Sequence, residues 1–213
     1  MDVRIPGQGQ NHKKEDDMGE IRIRRAQSAD AEEILEVYRP YVEHTAITFE
    51  YTVPSIDEFT RRIEHTLERY PYIVALQDEK IIGYAYVSPF VGRAAYDWAV
   101  ETSIYVRQET RRSGVGKRLY MALEDILRKQ GILNMEACIG VTDVEDEYLT
   151  NNSEHFHEHL GYRLVGEFRQ CGYKFGRWYN MVWMEKFIGD HLDDQPMIRS
   201  FDEVKDEIDF SEY

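Results

Sequence analysis

Apolar and charged positions alternate from Ile21 to Arg25, a period of two that predicts a strand with one buried face. The period then lengthens. Ile34, Leu35, Val37 and Tyr38 fall on one side of a helix that Ser28 or Asp30 can cap. Ser55 and Glu58 have the spacing of a capping box for a second helix reaching about residue 69, and Pro71 closes that stretch. Two strand-like runs follow at 72–76 and 81–88, with Gln77, Asp78, Glu79 and Lys80 as the polar turn of a hairpin. A third run covers 99–106. Val115, Leu119, Ala122, Leu123, Ile126 and Leu127 then recur at helical spacing, and Gly131 supplies the stop. Residues 135–139 predict a strand, and Asn152 or Ser153 can cap a short helix ending at Gly161. Strands at 162–173 and 178–187 are joined by Lys174, Phe175, Gly176 and Arg177. This order predicts one α/β (α+β) domain over residues 20–187, a mixed sheet covered by helices.

The flanks differ in character. Residues 1–19 are polar and predict a flexible arm without a signal peptide. Residues 188–213 hold nine acids against two bases, a charge of −7 within a total of −14, which predicts a solvated acidic tail with residues 196–201 lying over the surface. So acidic a chain repels phosphate backbones and excludes nucleic acid as a partner. No apolar run is long enough to span a membrane. Cys138 and Cys171 stand alone, outside any metal or redox spacing, which predicts a reducing compartment, the cytoplasm. His155, His157 and His159 alternate by two on a predicted helix, so they spread around it and form no metal face.

The segment Arg111-Arg112-Ser113-Gly114-Val115-Gly116-Lys117 lies between a strand and a helix. Two glycines allow tight backbone geometry. Successive N–H groups at the helix start converge on one spot, the helix dipole adds to them, and the basic residues bring charge. A pyrophosphate would be held well here. The spacing is neither that of a nucleotide P-loop nor that of a dinucleotide fold, and a plain glycine turn before a helix is the simpler alternative.

The Arg-x-x-Gly-x-Gly pattern at this place resembles the acetyl-CoA signature of the GNAT superfamily of N-acetyltransferases. Three further stretches resemble its phosphinothricin and methionine sulfoximine branch: Ala95-Tyr96-Asp97-Trp98 running into Val100-Glu101, Phe156-His157-Glu158-His159-Leu160-Gly161-Tyr162, and Gly172-Tyr173-Lys174-Phe175-Gly176-Arg177-Trp178. The resemblance implies a mostly antiparallel sheet flanked by helices, acetyl-CoA as acetyl donor, and a small amino-acid-like amine that attacks the thioester directly in a ternary complex. It implies Glu101 as general base and His157 near the acetyl group. Ile104, Tyr105, Val106, Arg111, Arg112, Ser113, Gly114, Val115, Gly116, Lys117, Asn152 and Ser153 would hold the cofactor, and Phe49, Arg93 and Tyr96 would line the amine site. Arg93 suits a carboxylate, which a guanidinium reads bidentately. The resemblance also points to a homodimer with the late strands near its interface.

Each residue keeps a plainer alternative: Glu101 as a solvent-facing strand carboxylate, His157 as a packed histidine satisfied by a backbone bond, Tyr120 and Phe49 as core, Arg93 as surface charge. Two positions depart from the branch. Val91 stands where phosphinothricin enzymes carry a basic residue, and Thr150 where an asparagine is usual. Acetylation of a protein N-terminus or lysine, and a CoA-binding module without chemistry, are the competing functions.

Overall fold

A computed structural model describes residues 19–111 and 113–213. The polar arm up to residue 18 and Arg112 lie outside the described residues. The alternating segment Ile21–Arg25 forms β1, which pairs antiparallel with β2 (Tyr72–Gln77). Between them come α1 (Ala31–His44) and α2 (Ile56–Leu67); the Ser55 hydroxyl caps α2 by accepting from the Glu58 N–H. β2 turns into β3 (Lys80–Pro89) through only two residues, Asp78 and Glu79, both at positive φ. That tight hairpin is shorter than the four-residue turn read from polarity, because left-handed central residues match the twist of the strands.

β4 (Ala99–Val106), α3 (Val115–Gln130), β5 (Asn134–Val141), α4 (Asn152–His159), β6 (Arg163–Lys174) and β7 (Arg177–Phe187) follow. The seven strands are ordered β1-β2-β3-β4-β5-β7-β6, and every neighbouring pair is antiparallel except β4 and β5. That parallel pair is joined by the α3 crossover, as parallel strands require. One face packs on α3 through Ile73, Ala75, Val100 and Met135. The other packs on α1 and α2 through Tyr72, Val74 and Tyr84. Since both faces of β2 are covered, it is an unbroken apolar run.

The tail differs from its expected solvated state. Phe201 and Val204, on the short helix α5 (Phe201–Val204), are fully buried in the core beside α3. The acids occupy the outward positions, while two apolar residues three apart point inward. The Phe201 N–H donates to the Arg69 carbonyl at 2.9 Å, and Gln130 Nε2 donates to both the Arg69 and Arg199 carbonyls. The Arg25 guanidinium pairs with Asp202 and lies 5.1 Å from the Phe201 ring centre. At the far end, Arg118 on α3 donates to the Tyr213 carbonyl. The tail is therefore a strap running along α3.

Candidate active site

β4 and β5 pair only from Ala99–Glu101 to Asn134–Glu136, and then diverge. β3 still pairs with β4 as far as Val106, and β7 with β5 as far as Val141. Each strand is thus held on its outer side while its inner edge is released, and a wedge opens between them. The wedge is lined by Thr102, Ser103, Ile104 and Tyr105 from β4, Ala137 to Gly140 from β5, and Tyr120, Ser153 and His157 from the helices. Released strand edges present unpaired N–H and C=O groups, so an extended ligand with amide groups can pair there as a strand would. Ile104 and Tyr105 are in the wedge. Val106 is not: its carbonyl accepts from the Tyr41 hydroxyl at 2.5 Å, and its N–H is 3.3 Å from that same oxygen.

At one end of the wedge lies the glycine loop. Gly114 caps α3 in the left-handed region at φ +86°. The first N–H groups of the helix have no preceding carbonyl to bond, and they point out of the loop. Gly116 permits close packing, since a Cβ there would sit 3.2 Å from Phe156 Cζ. The Ser113 hydroxyl donates to the Thr110 carbonyl at 2.6 Å and fixes the approach to the helix. Arg111 stacks over Tyr41, 5.4 Å from its ring centre. Val115 is buried and acts through packing.

Glu101 is the last β4 residue before the split, on the face away from α3. Burial holds its carboxyl above the usual carboxylate range. Its charge reaches Cys138 on β5, whose thiol is pushed up to about 11 by burial first and by Glu101 second.

His157 is buried, and both its nitrogens are engaged. Nδ1 is 2.7 Å from the Ser153 carbonyl and Nε2 is 2.8 Å from the Tyr120 hydroxyl. A nitrogen facing a carbonyl carries the proton, so Nε2 accepts and Tyr120 donates. Burial lowers the imidazole pKa and keeps the ring neutral. His157 therefore touches the wedge mainly by aiming Tyr120, whose hydroxyl also lies 3.2 Å from Thr102 Oγ1. Burial raises the Tyr120 pKa, so the phenol stays protonated. Tyr120, which the sequence leaves open between core packing and a contact near the CoA arm, lines the wedge; its signal is a lone hydroxyl on the apolar stripe of α3.

Other expected residues separate. Ser153 lines the wedge, whereas Asn152 is exposed and its amide donates to Thr150. Asn151 instead bonds both backbone groups of Thr142 and ties down the loop after β5. Phe49 closes the wedge mouth: a Cβ on Gly172 would meet its ring at 2.5 Å, and one on Gly140 at 3.7 Å. The loop carrying Phe49 is held by Lys174, whose ammonium donates to the Thr45 and Thr48 carbonyls, each at 2.8 Å. Tyr96 packs against Phe90, with ring centres 6.3 Å apart, and faces a separate hollow beside Trp98, His191 and Leu192. Arg93 sits at the surface before that turn, and among the described residues it forms no ion pair. Among the described residues no group of His, Cys, Asp and Glu is arranged to hold a metal, and no helix is long and apolar enough to cross a membrane.

The family described as acetyltransferase (GNAT) domain matches residues 23–183. A phosphinothricin N-acetyltransferase of Streptomyces viridochromogenes is 32% identical over 78% of this chain and 88% of its own. An L-methionine sulfoximine/L-methionine sulfone acetyltransferase of Salmonella typhimurium is 29% identical over 80% of this chain and 96% of its own. Among solved structures, a GNAT superfamily phosphinothricin acetyltransferase from Sinorhizobium meliloti, in complex with AcCoA, superposes with a TM-score of 0.76. It is 35% identical, and the match covers 83% of this chain and 93% of that one.

Proposed function

The chain belongs to the acetyltransferase (GNAT) family, and from that premise we propose that it transfers the acetyl group of acetyl-CoA to the α-amino group of a small amino-acid-like substrate. One observation carries the reading: β4 and β5 part just after the half-buried carboxylate of Glu101, and α3 starts at the left-handed Gly114, with Gly116 lying against Ile104 of the wedge. The released edge of β4 at Ile104 and Tyr105 pairs with the amides of the pantetheine arm. The first turn of α3, with Ser113, Gly114 and Gly116, receives the pyrophosphate.

The chemistry then needs a free amine beside the thioester. An α-ammonium group has a pKa near 8, so much of the substrate arrives protonated. Glu101 takes that proton, and its raised pKa makes it a better acceptor than an exposed glutamate. The nitrogen attacks the carbonyl carbon, and the C–S bond breaks. As charge develops on the departing sulfur, the Tyr120 hydroxyl swings its one proton from His157 Nε2, its partner in the resting site, to that sulfur. Phe49 shields the wedge mouth from water.

Relatives named for phosphinothricin and methionine sulfoximine support an amino-acid-like acceptor. A second copy of the chain covers β6, where Leu164, Val165 and Phe168 are each more than half exposed along a sheet edge. Phe168→Glu then shifts the sedimentation of the protein to that of a monomer; unchanged sedimentation removes β6 from the interface. Two free thiols suit a reducing compartment such as the cytoplasm.

The test is release of CoA thiol from acetyl-CoA against methionine sulfoximine, methionine sulfone, phosphinothricin, ordinary amino acids, polyamines and short peptides. Turnover with one amino-acid analogue supports the reading. Turnover with peptides alone replaces it by protein acetylation.

A further inference from the structure

Past Glu101 and Glu136 the two halves of the sheet, β1-β2-β3-β4 and β5-β7-β6, are no longer paired with each other. The loop that follows α1 crosses this gap. It starts on the first half, where α1 packs with Tyr84 and the Tyr41 hydroxyl donates to the Val106 carbonyl. It is then fastened to the second half. The Ala46 N–H donates to the Tyr148 carbonyl at 3.0 Å, and the Tyr51 hydroxyl donates to the Tyr173 carbonyl. Between these fastenings Ile47 lines the wedge.

Two strands are shaped to seat the loop. A Cβ on Gly140 of β5 would sit 3.2 Å from the Ala46 carbonyl oxygen, and one on Gly172 of β6 would meet the Phe49 ring at 2.5 Å. Side chains alternate along a strand. Gly140 is an even number of residues past Glu136, the register partner of Glu101, so the loop rests on the Glu101 face of the sheet. The phosphate loop belongs to α3, which covers the other face.

Lys174 of β6 completes the seat. Its ammonium donates to the Thr45 and Thr48 carbonyls, which bracket Ile47. The residue is only 3% exposed, and among the described residues no carboxylate pairs with it. Burial pushes the ammonium down to about 8, with the Glu50 charge pulling the other way, so it is charged at neutral pH. An ammonium buried among backbone atoms costs more than a methionine of similar length, and packing alone favours the apolar residue. The ammonium instead serves the end of α1. Thr45 is the C-cap of that helix, where the last carbonyls lack partners and the dipole favours positive charge.

We propose that Lys174 is a positioning residue: it latches the end of α1 to β6 across the open side of the wedge, and so fixes Ile47 and Phe49 as the wall along which the amine approaches Glu101. This rests on the reading of the wedge as an acetyl-transfer site. Because the wall stands on the Glu101 face, losing the latch weakens amine binding and admits water to the thioester, and leaves the phosphate loop as it was.

Lys174→Met keeps the length of the side chain and removes its donors. With the best acceptor of the amine panel, KM for the amine is expected to rise tenfold or more while KM for acetyl-CoA changes less than twofold. Hydrolysis of acetyl-CoA without amine is expected to rise severalfold. Lys174→Arg, which keeps donors for both carbonyls, should recover most of the amine KM. An unchanged amine KM overturns the proposal, and so does an equal rise in both KM values, which would make Lys174 a general support of the fold. If the methionine variant does not unfold cooperatively, Lys174→Gln, which keeps an amide donor, carries the same test with a smaller effect. Amide hydrogen exchange reads the latch without any acceptor. Lys174→Met is expected to speed exchange over residues 45–51 and not in α3; exchange as slow as in the wild type overturns the latch. Faster exchange there in an enzyme that acetylates no amine removes the transfer reading and keeps the latch.

Discussion

Replacing Gly114 by alanine isolates the backbone geometry of the phosphate loop. Gly114 holds φ at +86°, and a Cβ built there meets nothing within 4 Å, so the substitution introduces no clash. The penalty is purely conformational, about 1–2 kcal/mol for an L side chain in the left-handed region. The loop can bear that strain and lose the same amount of folding stability. Alternatively it rotates to relieve the strain and misaims the first N–H groups of α3. A hydrogen bond to a charged group contributes about 1.5–3 kcal/mol, and each 1.4 kcal/mol is tenfold in affinity. Losing one such bond to the pyrophosphate weakens binding roughly 10- to 100-fold. Calorimetric titration with CoA, together with KM for acetyl-CoA from thiol release, reads the effect. Gly116→Ala is the contrast: its Cβ would press on the Phe156 ring tip at 3.2 Å without a left-handed φ, so its effect is smaller. The reasoning is refuted if Gly114→Ala binds CoA as the wild type does and unfolds at the same temperature.

Three further outcomes follow from the same geometry. Tyr120→Phe keeps the ring but leaves His157 Nε2 buried without its donor, so stability falls by about 1–3 kcal/mol; kcat drops while KM for acetyl-CoA holds, and an unchanged kcat removes Tyr120 from the chemistry. Phe201→Ala empties a fully buried site at about 3–5 kcal/mol. At about 2–4 °C per kcal/mol for a chain of this size, the unfolding temperature falls by roughly 6–20 °C, and a shift under about 2 °C would show that the strap does not hold the core. Glu136 holds its proton in the folded state to about 7, against about 4.3 when unfolded. Between those values the folded protein binds more protons, so this contribution is present at acid pH and is lost as pH rises through 7. Glu136→Gln should therefore gain up to about 3 kcal/mol over wild type at pH 8 and nothing at pH 4, as chemical denaturation at the two pH values would show; equal gains at both would contradict a perturbed carboxyl.

Much of the architecture is legible in local patterning. The alternation over Ile21–Arg25, the capping by Ser55 and the helical stripe from Val115 to Leu127 each form the element they predict, because in each the propensity and the tertiary burial agree. The glycine loop lies between β4 and α3, as its place between a strand and a helix predicts. What local patterning misses is long-range. The tail reads as solvated because its charge dominates, yet Phe201 docks against residues far away in sequence. Asn151, Asn152 and Ser153 are adjacent, and only the helix geometry decides that Ser153 faces the wedge while Asn152 does not. Tyr120 and His157 are 37 positions apart, and their 2.8 Å contact leaves no trace in either segment alone. Likewise, Glu136 and Glu185, whose charges meet, are brought side by side only through strand register.

The account stands most directly on Glu101→Gln assayed across pH with the best amine acceptor. Loss of the proton acceptor should lower kcat by about 10²–10⁴ and abolish the acid limb of the profile, while CoA binding stays as in the wild type. Turnover equal to wild type through neutral pH would contradict it, because the wedge would then bind acetyl-CoA without Glu101 taking the proton.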